Sequence, residues 1–134
     1  MDTAFAHGLT WWHWQGGVVE QATIAELAHF VTARTPNATG IAVKSSNGRD
    51  WQGVYQDPNP DMAITGPESI ARWVAVLAQH GLDTHLWCVV HGQDIPVEAE
   101  RIITACRVPG VRSMILDVEA SDRYFGSHPP QVAR

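Results

Sequence analysis

With 134 residues, 45% of them hydrophobic and only 17% charged, the chain has the make-up of a single globular domain, 1–134, rather than of a disordered segment. The formal net charge is −5 and the basic residues stand singly, which argues against a nucleic-acid footprint and against a polybasic membrane contact. No apolar run approaches the roughly 18 residues that cross a bilayer, and Met1-Asp2-Thr3-Ala4-Phe5 lacks the basic start of a signal peptide. No membrane span is expected, and no compartment is assigned.

The first predicted element is the aromatic-rich stretch from Gly8 to Trp14, which fits a strand. Thr23-Ile24-Ala25-Glu26 is a capping box, and Ile24, Leu27, Ala28 and Val31 follow at helical spacing until Thr35-Pro36-Asn37 stops the helix. Gly40 to Ser45 is a short apolar run closed by Ser46-Asn47-Gly48, which predicts a buried strand. A long polar loop is expected from Asn47 to Ala63, with turn chemistry at Asp57-Pro58 and Asn59-Pro60 and room for Asp57 to touch a ligand. Thr65-Gly66-Pro67-Glu68 has the form of a second capping box, and Ile70, Trp73, Val74, Leu77 and Ala78 predict a helix over 67–80.

Thr84 to Gly92 is the next strand, and Asp94-Ile95-Pro96 opens a third helix whose apolar residues are Val97, Ile102, Ile103 and Cys106. Pro109-Gly110 ends it. Val111 to Val118 is the last strand, and Ser127 to Gln131 begins a further helix. Cys88 and Cys106 have neither a metal spacing nor a disulfide framework, and both read as buried free thiols.

Strands alternating with helices imply parallel strands joined by right-handed crossovers. The units recur about every 35 residues, which suits an open doubly wound sheet or a partial (β/α)8 TIM-barrel-like fold of about four βα units. On the barrel reading the strand order is 1-2-3-4, the helices share the outer face, and the chain is the truncated first half of a barrel. The open reading expects the order 2-1-3-4. Half a barrel leaves its first and last strands as open edges, with Trp12, Val89 and Ile115 partly covered, so a homo-oligomer is expected.

Four patches in the expected order resemble glycoside hydrolase family 25, the Asp-x-Glu lysozymes, over residues 8–120. Gly8-Leu9-Thr10-Trp11-Trp12-His13-Trp14-Gln15-Gly16 is similar to the family's first strand, with Thr10 where the family has aspartate. Ile41-Ala42-Val43-Lys44-Ser45-Ser46-Asn47-Gly48 is similar to the second-strand pattern, with Lys44 matching and Asn47 in the place of a glutamate. Gly81 to Trp87 resembles the entry to the third strand, and Ile115-Leu116-Asp117-Val118-Glu119 the fourth-strand Leu-Asp-x-Glu. Family 18 chitinases share that Asp-x-Glu ending but want Asp where Arg112 and Ile115 stand, which makes them the weaker relative.

The resemblance implies hydrolysis of an N-acetylhexosamine polymer such as peptidoglycan, with a carbohydrate polymer as the partner. It assigns Glu119 as the acid that protonates the glycosidic oxygen, and Asp117 as the group that orients an N-acetyl group attacking its own anomeric carbon.

The residues themselves add chemistry. Side chains two apart on a strand share a face, so Asp117 and Glu119 lie about 6.6 Å apart along it, with Ser113 and Ile115 on the same side. Like charges held this close favour keeping one carboxyl protonated, which a general acid needs. Met114, Leu116 and Val118 take the face that suits helix packing. Trp12 and Trp14 alternate on the face of Thr10 and could stack on sugar rings, and Lys44, Trp87 and His91 complete the expected substrate contacts. His13, His85 and His91 are metal-ligand types, but no His-x-His motif fixes two together, so no metal and no cofactor is expected. A glycan-binding or self-associating module without turnover is the alternative function.

Overall fold

A computed structural model describes residues 8–14, 19–55 and 59–119. Asp57 and the expected helix at Ser127 to Gln131 lie outside the described residues. The elements are β1 (Leu9–His13), α1 (Ile24–Arg34), β2 (Ala38–Asn47), β3 (Asp50–Trp51), a 3-10 turn (Gln52–Tyr55), α2 (Pro67–Gln79), β4 (Asp83–Val89), α3 (Ile95–Cys106) and β5 (Val111–Asp117). No described helix is long and apolar enough to cross a membrane.

β1, β2, β4 and β5 form a parallel sheet in that order, so the strands follow the chain order and not the 2-1-3-4 order. The alternation of side chains along these strands divides two cores. Ile41, Val43 and Leu86 point to one face, where they meet Ile24, Leu27, Ala28 and Val31 of α1, Ile70, Trp73 and Leu77 of α2 and Ala105 of α3. Ala42, Trp87 and Val89 point to the other and cluster with Ile115 and no helix residue. The described helices therefore share one face, and the opposite face is left to the strands alone.

The first cap forms in part as expected: Thr23 Oγ1 accepts from Glu26 N–H at 3.1 Å, but the Glu26 carboxylate accepts from Ala22 N–H at 2.8 Å, one residue before the N-cap, and not from Thr23 N–H. The cap of α2 differs. Its N-cap is Gly66, and Ser69 Oγ rather than a threonine oxygen accepts from the backbone N–H groups of Thr65 and Gly66, at 2.9 and 3.2 Å.

Four further expectations are corrected. The polar stretch after Asn47 is not a bare loop, because Gly48 adopts φ +59° and turns the chain into an antiparallel hairpin that pairs Asn47 with Asp50 and Ser46 with Trp51. α3 does not turn the expected residues inward: Glu98 and Ala105, seven residues apart on one face, are its buried residues, while Val97 and Ile102 are half-buried and Ile103 is exposed. Leu116 and Val118 are likewise exposed, since β5 is the last described strand of the sheet, and Cys106, at the end of α3, is only half-buried.

Candidate functional site

The helix-free face and the C-terminal strand ends together form a cleft of about 570 Å³. β1 contributes Trp12, Trp14 follows directly after its end, and β2 contributes Lys44 and Asn47. Trp87 and Val89 of β4 form the floor, with Asp117 and Glu119 along the far side. Strict alternation would send Lys44 and Asn47, three residues apart, to opposite faces. A bulge between Lys44 and Ser46 restores them to one face, with Lys44 opposite Trp87 and Asn47 opposite Val89. The extra residue, Ser45, is buried and donates its hydroxyl to the Trp87 carbonyl at 3.1 Å.

The tryptophans have different duties. Trp87 is 4% exposed, and its indole N–H donates to the His13 carbonyl at 2.8 Å, tying β4 to β1 across the small Ala42. Trp12 lies on it at 4.7 Å between ring centroids, so Trp87 supports a plate more than it offers one. Trp12 and Trp14 are 48% and 51% exposed, which leaves two aromatic faces open to a ligand.

Lys44 is 7% exposed, with Nζ 4.9 Å from the Trp87 ring centroid and 5.8 Å from that of Trp14. Burial pushes its ammonium below the ordinary lysine value, and the Asp117 carboxylate, across β4, partly offsets that. Asp117 is half-buried and Glu119 exposed. The side of the cleft facing solvent is thus acidic and its base is cationic and aromatic.

Below the cleft the same face is closed by His85, whose Nδ1 meets Ser113 Oγ at 2.8 Å with both residues buried. Gly40 makes this possible, because a Cβ there would stand 2.9 Å from the His85 ring. Burial, helped by the Arg112 charge and opposed by Asp83, lowers the His85 pKa and favours the neutral ring.

His91 does not line the cleft. Its Nε2 meets Asn47 Oδ1 at 3.3 Å, and Gly48 allows the approach, since a Cβ there would lie 2.7 Å from the His91 ring. The loop that carries His91 is held by Glu98, a buried carboxylate that accepts four backbone N–H groups: those of His91 and Gly92 on Oε2 at 2.9 and 3.0 Å, and those of Gln93 and Asp94 on Oε1 at 3.0 and 3.3 Å. Sequence reasoning passes over Glu98. The signal available to it was an acid in the first turn of a helix directly after Gly92-Gln93-Asp94.

The three histidines considered as metal ligands are dispersed, with His13 on the helix face beside Trp73, His85 beside Ser113 and His91 beside Asn47. Among the described residues no three His, Cys, Asp or Glu side chains converge on one point. Compared with family models, with curated proteins and with solved structures, the chain matches none.

Proposed function

We propose that this cleft is the sugar site of a glycoside hydrolase acting on an N-acetylhexosamine polymer such as peptidoglycan, and that the sheet is the first half of a (β/α)8 barrel. The observation that carries the reading is the convergence, on one helix-free face at the strand C-termini, of two exposed indole plates with two carboxylates two residues apart. Flat amphipathic plates suit the C–H faces of sugar rings, and carboxylates suit their hydroxyls. Active sites of parallel barrels occupy this same end.

Asp117 and Glu119 leave one strand end side by side and do not flank a substrate from two sides. That arrangement favours substrate assistance over a two-sided pair of acid and nucleophile. In this mechanism Glu119 gives its proton to the leaving glycosidic oxygen. The substrate's own N-acetyl oxygen attacks the anomeric carbon, and Asp117 stabilises the charge that develops on the N-acetyl group.

Turnover of a fluorogenic N-acetylglucosamine oligomer and of a cell-wall suspension tests this. Glu119→Gln should slow turnover by about 10² or more while sparing binding, because the amide keeps the shape but donates no proton to the leaving oxygen. Asp117→Asn should slow it as well. A Glu119→Gln protein that keeps more than about a tenth of the rate refutes the assignment. Wild-type binding without any turnover favours the glycan-binding reading, for which Thr10 and Asn47, in place of the two carboxyl groups of the resembling family, are the residues to examine first.

A further inference from the structure

Lys44 is the single lysine of the chain; every other basic side chain, histidine aside, is an arginine. A surface lysine is ordinarily a solvated charge on a flexible stem. This one is withdrawn into the cleft, with its amine at its base between the rings of Trp14 and Trp87 and with Asp117 across the floor of the same cleft. We propose that Lys44 is a carbonyl-trapping amine, which forms an imine with a neutral hydroxy-aldehyde bound in the cleft. This inference does not rest on the glycosidase reading.

Three features support it. The amine lines a cleft large enough for a small ligand and is reached from solvent past the exposed Trp12 and Trp14. Burial disfavours its ammonium form, raising the fraction of free amine that can act as a nucleophile. Imine formation also keeps a cation at the same place, because the product is a protonated imine, so the attraction to the two aromatic faces survives the reaction.

The step balances within the cleft. The Lys44 ammonium passes one proton through water in the cleft to the Asp117 carboxylate, and the freed nitrogen lone pair attacks the aldehyde carbon as the C=O π pair moves to oxygen. One proton shifts from nitrogen to that oxygen, giving a carbinolamine. Asp117 then returns its proton to the hydroxyl, which leaves as water while the nitrogen lone pair closes the C=N bond. One ammonium and one aldehyde have become one iminium and one water. The two carboxylates against one cation disfavour aldehydes that bear phosphate or carboxylate groups, and the indole plates with acidic neighbours suit a short polyhydroxy chain.

Glyceraldehyde with sodium cyanoborohydride, which reduces the iminium in place, tests the proposal on the full chain. Peptide mapping by mass separates Lys44 from the chain's α-amino group. The expected result is a single reduced adduct on Lys44 at neutral pH, formed severalfold faster than on Nα-acetyl-lysine amide in the same tube. Asp117→Asn should slow Lys44 labelling, and Lys44→Arg should abolish it. The proposal is overturned if Lys44 reacts no faster than the free amine, or if only the α-amino group is labelled. Either result is independent of whether an N-acetylglucosamine oligomer binds or turns over, so the two readings fail separately.

Discussion

A buried thiol reports on the cleft from the other side of its floor. Cys88 follows Trp87 on β4 and points into the helix face, where burial pushes its thiol up from 9.0 to about 12 against the pull of a hydrogen bond with Ser46. A group whose pKa is raised on folding contributes stability that is fully present below its unfolded value and is lost as pH rises through its folded value. The Cys88 contribution is therefore complete below pH 9.0 and disappears toward about pH 12. Lys44, whose pKa is lowered by folding, acts in the opposite sense, its contribution growing as pH rises toward 10.5. Comparing wild type with Cys88→Ala cancels most of the lysine contribution. Urea midpoints should show the wild type losing ground relative to the variant between pH 9 and 12. Parallel pH profiles would show that the thiol titrates alike in the folded and unfolded chains.

At the scale of elements, α3 and its preceding loop form one unit held by a single carboxylate. Glu98 satisfies four backbone N–H groups at once, and the turn they make places His91 beside Asn47 at the rim of the cleft. In Glu98→Gln one acceptor oxygen becomes an NH2 that faces other N–H groups, so two of the four bonds are lost and the remainder lose their charge assistance. The expected cost is about 3 kcal/mol in urea unfolding, with faster amide exchange at Gln93 and Asp94. An unchanged midpoint would mean that water replaces the carboxylate without loss. Sequence patterning reaches the start and the buried face of α1, because the Thr23 cap and the stripe Ile24, Leu27, Ala28 and Val31 all act within one helix. It fails on α3, where the apolar spacing suggests a stripe through Ile103, but a buried carboxylate needed by the neighbouring loop sets the rotation of the helix. It fails again at Asn47, because period-2 reasoning carries no knowledge of the bulge at Ser45. Asp117 and Ile115 lie beyond the register shift between Val111 and Met114, on the regular stretch of β5, where alternation alone puts them on one face.

For the whole molecule, the sheet has one covered face and one face covered by few side chains. Among the described residues, β1 and β5 each pair with a neighbour on one side only, which leaves a row of backbone groups at each end of the sheet. Beside the β5 edge stand the exposed Leu116 and Val118, and beside the β1 edge the exposed Leu9, Trp12 and Trp14. Apolar side chains flanking an unpaired edge promote strand pairing between copies, and charges on the same edge suppress it. A net charge of −5 supplies only modest repulsion between copies. The chain should therefore self-associate, with a light-scattering mass above 14.7 kDa that rises with concentration. Leu116→Lys with Val118→Lys should return the mass toward that of one chain, because both positions lie on the side of β5 away from the floor of the cleft and the added charges repel across the edge. A wild-type mass that stays at 14.7 kDa over a wide concentration range would refute association altogether. A mass that stays high in the double variant would move the contact from β5 to the β1 edge, where Trp12→Lys, which removes a cleft plate at the same time, should reduce both self-association and ligand binding.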